Sequence, residues 1–254
     1  HGKAAGKIGT TTGEICFNTG TTGYQEIFTD PSYYAQIMVT TNAHIGNYGI
    51  DEEDAESNKI QIAGLVCKNY NINYSRKMAD ESIQNYFQDG NLVGISDIDT
   101  RSLVRHIRSK GAMNAIISSE NLDEESLKAE LAKVPSMDGL ELSSKVSTTE
   151  PYFYGEESAP TRIAVLDLGI KKNILRNLAN ASARSTVLNG DATAAEILAL
   201  KPDGVVLSNG PGDPAATGEY AVPVIKALLD ADVPLFGICL GHQMLALSAG
   251  AKSL

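Results

Sequence analysis

"RIAVLDLGIKKNILRNLANASARSTVLNG", residues 162–190, decides the fold class of this chain. An apolar run is followed by apolar residues at helical spacing and then by a second β-rich run. This order predicts two parallel strands joined by a crossover helix.

The same alternation continues to the end of the sequence. It predicts four strands, at residues 162–169, 183–190, 203–210 and 233–241, and four helices, at residues 171–181, 192–201, 219–232 and 242–250. The fold class is therefore α/β, with a doubly wound parallel sheet and helices on both faces. Such sheets bind ligands beyond the carboxyl ends of their strands. We expect the sheet to be partial, because four units leave it incompletely covered.

The residues before this sheet predict a second domain. Residues 146–161 lose periodicity and gather Ser, Thr, Glu, Pro and Gly, which is typical of a linker. Residues 1–145 combine β-rich runs with Gly, Asn and Pro turns, and contain two capped helices. The helices are expected to start at Asp80 and at Asp99 or Thr100, and to stop at Gly90 and Gly111. The predicted domains are an amino-terminal β-rich α/β domain, 1–145, a linker, and 162–254.

Composition excludes several function classes. The chain has 43% apolar and 20% charged residues and a net charge of −10, which argues against nucleic acid or an anionic membrane as a partner. Three cysteines do not suggest a disulfide framework, and no leader or membrane span is evident, so we expect a cytoplasmic protein. No Cys/His cluster has zinc spacing and no phosphate loop is present, so neither metal nor nucleotide is expected.

"FGICLGHQM", residues 236–244, places Cys239 between two glycines where a strand meets a helix. This pattern matches the nucleophile elbow G-x-S-x-G with sulfur in place of oxygen. The helix N-terminus favours the ionised thiolate, and the N–H of Leu240 can face the oxyanion of a tetrahedral intermediate. The structural alternative is a buried cysteine whose neighbouring glycines serve only packing.

"SNGPGDP", residues 208–214, follows the preceding predicted strand and holds two glycines and two prolines. Glycine lets a ligand approach the backbone closely, and proline restricts the backbone conformation. The loop can therefore present fixed N–H groups to a ligand. A plain tight turn is the alternative. Because both loops leave the carboxyl ends of strands, we expect them to form one site.

The quoted stretches resemble a known family. "FGICLGHQ" and "LSNGPGDP" are similar to the class I glutamine amidotransferases. "GEICFNTGTTGYQEIFTDPSY", "HIGNYG", "DIDTRSL" and "RIAVLDLGIKKNILRNL" more narrowly resemble the small, glutamine-hydrolysing subunits of carbamoyl phosphate synthetase. The resemblance runs from about Gly6 to the last residue.

The resemblance implies hydrolysis of glutamine to glutamate, with ammonia delivered to a large synthetase subunit. That partner would use bicarbonate, ATP and Mg²⁺ to make carbamoyl phosphate for arginine and pyrimidine synthesis, so no cofactor is expected in this chain. It also implies roles for six residues: a thiol nucleophile at Cys239, oxyanion donors at Leu240 and Gly212, glutamine contacts at Gly210 and Gln243, and Ser32, from the other domain, closing the site.

One departure from the family pattern concerns the catalytic base. The family carries a His and a Glu two residues apart, well downstream of the elbow, whereas this sequence ends fifteen residues past Cys239. None of its four histidines matches that motif: His1, His44, His106 and His242. We therefore expect a truncated segment that is inactive as a glutaminase when isolated. Two other functions stay open: a non-catalytic docking or regulatory subunit, and an α/β-type ester hydrolase using the same elbow.

Overall fold

The computed structural model describes residues 1–252, which form two compact units. The first unit is His1–Ser136 and the second begins at Met137. No helix within residues 1–252 is long and apolar enough to cross a membrane. The same residues contain no group of three or more His, Cys, Asp or Glu side chains placed to hold a metal ion.

The first unit is built on a six-stranded mixed sheet. Its strands are β1 (Lys3–Gly6), β2 (Thr10–Asn18), β3 (Ile37–Thr40), β4 (Gly64–Val66), β5 (Val93–Ser96) and β6 (Asn114–Ser118), and its helices are α1 (Tyr24–Thr29), α2 (Ile83–Asp89), α3 (Thr100–Lys110) and α4 (Glu124–Leu131). The strand order is β1-β5-β4-β3-β2-β6, with parallel pairing from β2 to β5 and antiparallel pairing of the outer strands. Two buried apolar clusters, one containing Phe28 and Phe87 and the other Val104 and Ile107, form its core.

The second unit contains a five-stranded sheet. Its strands are β7 (Tyr152–Tyr154), β8 (Thr161–Asp167), β9 (Ala183–Asn189), β10 (Gly204–Leu207) and β11 (Leu235–Gly237), and its helices are α5 (Lys172–Asn180), α6 (Ala194–Ala199), α7 (Pro214–Asp230) and α8 (Leu240–Ser248). The order is β11-β10-β8-β9-β7, and all pairs are parallel except β7 with β9. The predicted α/β fold with a parallel sheet is confirmed.

Alternate residues of the central strand β8 face different apolar clusters. Ala164 and Leu166 belong to the cluster that includes residues of α6, α7 and α8. Val165 belongs to a second cluster with Leu175 of α5. Because successive strand side chains point to opposite faces, helices cover both sides of this sheet. Strand order reverses between β8 and β10, so the carboxyl ends of these strands form the position where such sheets bind ligands.

The segment predicted as a linker, residues 146–161, lies within the second unit. Its aromatic residues Tyr152–Tyr154 form β7, which pairs antiparallel with β9 along the sheet edge. Aromatic side chains favour extended backbone, which explains why this stretch pairs despite its Ser- and Pro-rich flanks. The compact units therefore divide at Ser136, ahead of the predicted domain limit at residue 145.

Most of the helix ends predicted for the first unit agree with the structure. Asp99 caps α3 by accepting a hydrogen bond from the Ser102 N–H at 3.0 Å, and Gly90 and Gly111 follow the two helices. The prediction for α2 was wrong, because Ser82 is its N-cap. The Asp80 carboxylate instead accepts a hydrogen bond from the Glu52 N–H at 3.1 Å.

Helix α6 offers a test of local stability. The Thr193 hydroxyl accepts a hydrogen bond from the Glu196 N–H, and the Glu196 carboxylate accepts one from the Thr193 N–H at 2.8 Å. We expect Thr193→Ala to lower the free energy of unfolding by about 1 kcal/mol, because it leaves a first-turn N–H without its acceptor. Chemical denaturation measures the change. The control Asp191→Ala, at an exposed neighbouring position, is expected to stay within about 0.5 kcal/mol; equal losses in both variants would contradict the capping role.

Candidate active site

Cys239 lies at the turn between β11 and α8. It is exposed, and its backbone has φ 52° and ψ −112°, which is rare for a residue with a side chain. Non-glycine residues adopt such a conformation only where the surrounding structure enforces it. The turn therefore holds the thiol at the surface, and the alternative of a buried cysteine is excluded.

The two flanking glycines enforce the turn by close backbone packing. A Cβ at Gly237 would lie 2.5 Å from the carbonyl oxygen of Gly241. A Cβ at Gly241 would lie 2.2 Å from the carbonyl oxygen of Leu207, in the neighbouring strand β10. No other residue type fits either position, which is the physical reason for the G-x-C-x-G spacing.

Backbone hydrogen bonds fasten the elbow to β10. The Ile238 N–H donates to the carbonyl of Leu207 and the Gly241 N–H donates to that of Ser208, both at 3.0 Å. The Leu240 side chain is buried, so only the backbone of this residue is available to contact a ligand. Its N–H lies in the first turn of α8, where N–H groups lack intrahelical acceptors. The Leu240 N–H is therefore suited to stabilise a negative charge beside Cys239.

Gln243 follows Cys239 by one helical turn. Its N–H donates to the Cys239 carbonyl at 3.1 Å, and its side chain is exposed. Residues four positions apart lie on the same face of a helix. Gln243 therefore lies one turn into α8 above the backbone of Cys239, with its side chain open to solvent.

The Gly–Pro loop, residues 208–214, lies beside the elbow. A Cβ at Gly210 would lie 2.9 Å from Cδ2 of Leu240 and 2.0 Å from the carbonyl oxygen of Leu168. Gly210 thus touches both the loop after β8 and the residue that follows the nucleophile. The two loops that the sequence predicted to form one site are brought together.

Gly212 has a φ of 91° and lies against residues 140–142. Glu141 and Gly212 form an isolated antiparallel bridge, in which the Asp213 N–H donates to the Leu140 carbonyl at 2.9 Å. This hydrogen bond uses the N–H of Asp213 and leaves the Gly212 N–H out of the pairing. Gly212 can therefore offer its N–H to a ligand.

Ser32 lies in the first unit, on a short 3₁₀ turn, Pro31–Tyr33. Its N–H donates to Oδ1 of Asp30 at 2.9 Å, which fixes the turn, and the side chain is half-buried. The expectation that Ser32 closes the glutamine site stays a prediction.

Asp167, at the end of β8, was missed by the sequence analysis. Its buried carboxylate accepts hydrogen bonds from the N–H groups of Thr148, Gly169 and Ile170 at 2.7–2.8 Å. Burial raises the pKa of Asp167, while these three hydrogen bonds act in the opposite direction. The carboxylate shapes the loop after β8, and a lone Asp after an apolar run carries too weak a signal to reveal this.

The loops after β8 and β10 are joined by two polar side chains that are fully buried. The Ser208 hydroxyl accepts a hydrogen bond from the Leu168 N–H at 2.9 Å and donates one to the Asn209 carbonyl at 2.8 Å. The Asn209 amide donates to the Gly169 carbonyl at 2.8 Å. These bonds tie the Gly–Pro loop to its neighbour, as a preorganised site requires.

The other cysteines lie in unreactive surroundings. Cys67 is buried in the core of the first unit, as predicted, and burial raises its pKa to about 12. Burial likewise raises the pKa of Cys16 to about 12. Both thiols stay protonated at neutral pH, so neither is expected to compete with Cys239 as a nucleophile.

All four histidines are exposed. His44 lies in a loop, where its Nδ1 is 3.4 Å from the Asn71 amide nitrogen, as expected for a residue that packs a loop. His106 lies on the surface of α3, also as predicted. His242 is exposed in the first turn of α8.

The glycine packing at the elbow can be tested by adding one methyl group. We expect Gly241→Ala to lower the free energy of unfolding by about 3 kcal/mol or more, because its Cβ would overlap the Leu207 carbonyl. The control is Gly218→Ala inside α7, where a Cβ has its nearest neighbour at 3.4 Å. It should change stability by less than about 1 kcal/mol, since alanine favours helix. Thermal and urea unfolding compare the two; a mild effect of Gly241→Ala would contradict the close approach.

Comparisons with known proteins cover both units. Residues 1–117 match the family model "Carbamoyl-phosphate synthase small chain, CPSase domain", and residues 164–254 match "Glutamine amidotransferase class-I". The carbamoyl phosphate synthase small chains of Synechococcus sp. and Chlorobaculum tepidum are each 46% identical to this chain, and that of Salmonella typhimurium is 42% identical. Each similarity covers 100% of this chain and 68–70% of the relative. The chain therefore belongs to the carbamoyl phosphate synthase small chain family, with a class I glutamine amidotransferase domain in its second unit.

Proposed function

We propose that this chain is the glutamine-hydrolysing subunit of a carbamoyl phosphate synthase. It hydrolyses glutamine to glutamate through a thioester on Cys239 and delivers ammonia to a large synthetase chain. The observation that carries the proposal is the exposed Cys239, held at φ 52° between two glycines at the start of α8. Family membership supports glutamine as the substrate.

The proposed reaction proceeds in two steps at one sulfur. The Cys239 thiolate attacks the side-chain amide carbon of glutamine, so that an S–C bond forms and the amide oxygen becomes an oxyanion. A proton is then transferred to the nitrogen, and collapse of the intermediate breaks the C–N bond, releases ammonia and leaves a thioester. Water then attacks the thioester, the S–C bond breaks, and glutamate and the free thiol are released. Splitting the hydrolysis in this way replaces one difficult step by two easier ones.

The backbone supplies the charge stabilisation in this scheme. The Leu240 N–H, in the first turn of α8, and the Gly212 N–H, in the Gly–Pro loop, would donate to the oxyanion. Removing one such donor typically slows an acyl transfer by roughly 10²–10³-fold. Gly210 and Gln243, beside the nucleophile, would contact the bound glutamine. The resemblance to the family assigns proton transfer to a His and a Glu downstream of the elbow.

The partner in this proposal is a large synthetase chain, which would combine ammonia with bicarbonate using ATP and Mg²⁺. A formal charge of −10 on this chain is compatible with a protein partner and unfavourable for nucleic acid. Carbamoyl phosphate made in this way would enter arginine and pyrimidine synthesis, in the cytoplasm. No cofactor is assigned to this chain.

The nucleophile is tested by a glutamine analogue that carries a chloromethyl ketone in place of the side-chain amide. We expect one adduct per chain, at Cys239, and at least about tenfold slower labelling with saturating glutamine, because substrate and probe share one site. Intact-mass and peptide mass spectrometry measure the adduct. Labelling is preferred to turnover, because the isolated 1–254 chain is predicted to be inactive.

Two variants control the labelling experiment. Cys239→Ala should abolish the adduct, and Cys16→Ser should leave its rate unchanged, since that thiol is half-buried. Asparagine, one methylene shorter, should protect far less than glutamine. Absence of the adduct would support the docking interpretation, and equal protection by both amides would refute a glutamine site. Faster reaction of Cys239 with an uncharged aryl ester than with the glutamine probe would favour the ester hydrolase.

The proposed role of Ser32 has its own test. We expect Ser32→Ala to raise the glutamine concentration that half-protects Cys239 by about tenfold, which is the usual effect of losing one hydrogen bond to a ligand. The labelling rate without glutamine should not change. Ser75→Ala, at an exposed loop position in the same unit, is the matched control. Equal glutamine protection in both variants would remove Ser32 from the site.

A further inference from the structure

Residues 139–147, here called the strap, run alongside the Gly–Pro loop within the second unit. The Gly139 N–H donates to the Asp213 carboxylate at 2.7 Å, and the Asp213 N–H donates to the Leu140 carbonyl at 2.9 Å. These two bonds fix the end of the loop against the start of the strap.

The strap lies directly against Gly212. A Cβ at Gly212 would be 2.7 Å from the Leu140 carbonyl oxygen and 2.9 Å from the Leu142 nitrogen. The strap backbone thus occupies the space beside the Gly212 Cα. Only glycine fits there, and the φ of 91° places it in the left-handed region.

Ser143 contacts the peptide bond that carries the Gly212 N–H. Its hydroxyl is fully buried and donates to the Pro211 carbonyl at 3.3 Å. The hydroxyl oxygen of Ser143 also lies 3.4 Å from the hydroxyl oxygen of Thr217, and Ser143 is a side-chain hydrogen-bond partner of Tyr220. In a trans peptide, the C=O and N–H groups point in opposite directions. Because Ser143 holds the Pro211 carbonyl towards the strap, the Gly212 N–H faces away from the strap.

Glu141 anchors the strap to α7. Its carboxylate accepts hydrogen bonds from the Tyr220 hydroxyl at 3.1 Å and from the Ser144 N–H at 3.0 Å. Burial raises the pKa of Tyr220, and the nearby Glu141 charge adds to this effect, so the phenol keeps its proton and stays a donor. The strap is therefore attached to both the loop and the following helix.

We propose that Ser143 is a positioning residue, which orients the Pro211–Gly212 peptide so that the Gly212 N–H serves as an oxyanion donor. Rotation of this peptide by half a turn would place the Pro211 carbonyl where the donor is needed. A carbonyl oxygen there would repel the developing negative charge. This inference rests on the proposed function, since it assigns Ser143 a role in the same reaction.

The test compares two reagents that react with the same sulfur. The chloromethyl ketone analogue of glutamine is attacked at its carbonyl carbon; an oxyanion forms before sulfur moves to the methylene and chloride leaves. Iodoacetamide is attacked at a saturated carbon, and iodide leaves without an oxyanion. The ratio of the two second-order rate constants therefore reports the oxyanion donors and cancels changes in thiolate abundance.

We expect Ser143→Ala to lower this ratio about tenfold relative to the unsubstituted chain, the usual effect of losing one orienting hydrogen bond. Ser158→Ala is the matched control, because this serine is exposed in the same unit and lies outside the strap and the Gly–Pro loop; its ratio should stay within about twofold. Ser143→Thr, which keeps a hydroxyl, should recover most of the ratio. Thermal unfolding checks that each variant is folded, and Tyr220→Phe, which removes a phenol that is a hydrogen-bond partner of both Glu141 and Ser143, should lower the ratio in the same direction.

A ratio for Ser143→Ala within twofold of the unsubstituted chain would overturn the positioning role, as would an equal fall in Ser158→Ala. If Ser143→Ala does not fold, an unchanged ratio in Tyr220→Phe overturns it instead. These results would contradict the role of Ser143 but not the proposed function, provided that glutamine still protects Cys239 of the unsubstituted chain from labelling. Failure of the proposed function is distinct, because the unsubstituted chain would then show no glutamine-protected adduct.

Discussion

The backbone contact between Gly241 and Leu207 sets the geometry of the whole candidate site. A Cβ at Gly241 would lie 2.2 Å from the Leu207 carbonyl oxygen, so α8 can begin this close to β10 only with glycine at that position. The approach forces Cys239 into a φ of 52° and turns its thiol outwards. Leu240, the next residue, begins α8, so its N–H lies in the first turn of that helix. Strain at one residue therefore exposes the candidate nucleophile at the start of a helix, next to the N–H that is proposed as a donor.

A second set of contacts makes the neighbouring loops rigid. Ser208 and Asn209 join the loop after β8 to the loop after β10, and Asp167 gathers three N–H groups at the end of β8. All three side chains are buried and polar, so each missing hydrogen bond would carry a desolvation cost. Such a network keeps the loops in one arrangement. A site that stabilises a short-lived oxyanion needs this fixed geometry, because donors that must reorient contribute less.

The sequence predicted the elements well because their signals are local. The alternation of strands and helices from residue 162 onwards, and the caps Asp99, Gly90 and Gly111, depend on residues within a few positions of each other. The wrong cap at Asp80 shows the limit of such signals. Its carboxylate bonds to Glu52, twenty-eight positions away in sequence, and Ser82 takes the capping role. Asp80 and Ser82 are both good capping residues, but the Asp80 carboxylate is engaged by Glu52, and Ser82 caps the helix.

The sequence by itself determined the α/β class of the second unit, the family, and the candidate nucleophile, because apolar periodicity and G-x-C-x-G are readable along the chain. Only the tertiary structure decided that Cys239 is exposed, that Gly210 touches Leu240, and that Ser143 reaches the Pro211 carbonyl across 68 residues. The physical reason is that hydrogen bonds and close approaches depend on separation in space. Nothing in the residues around Ser143 records which carbonyl its hydroxyl meets once the chain has folded.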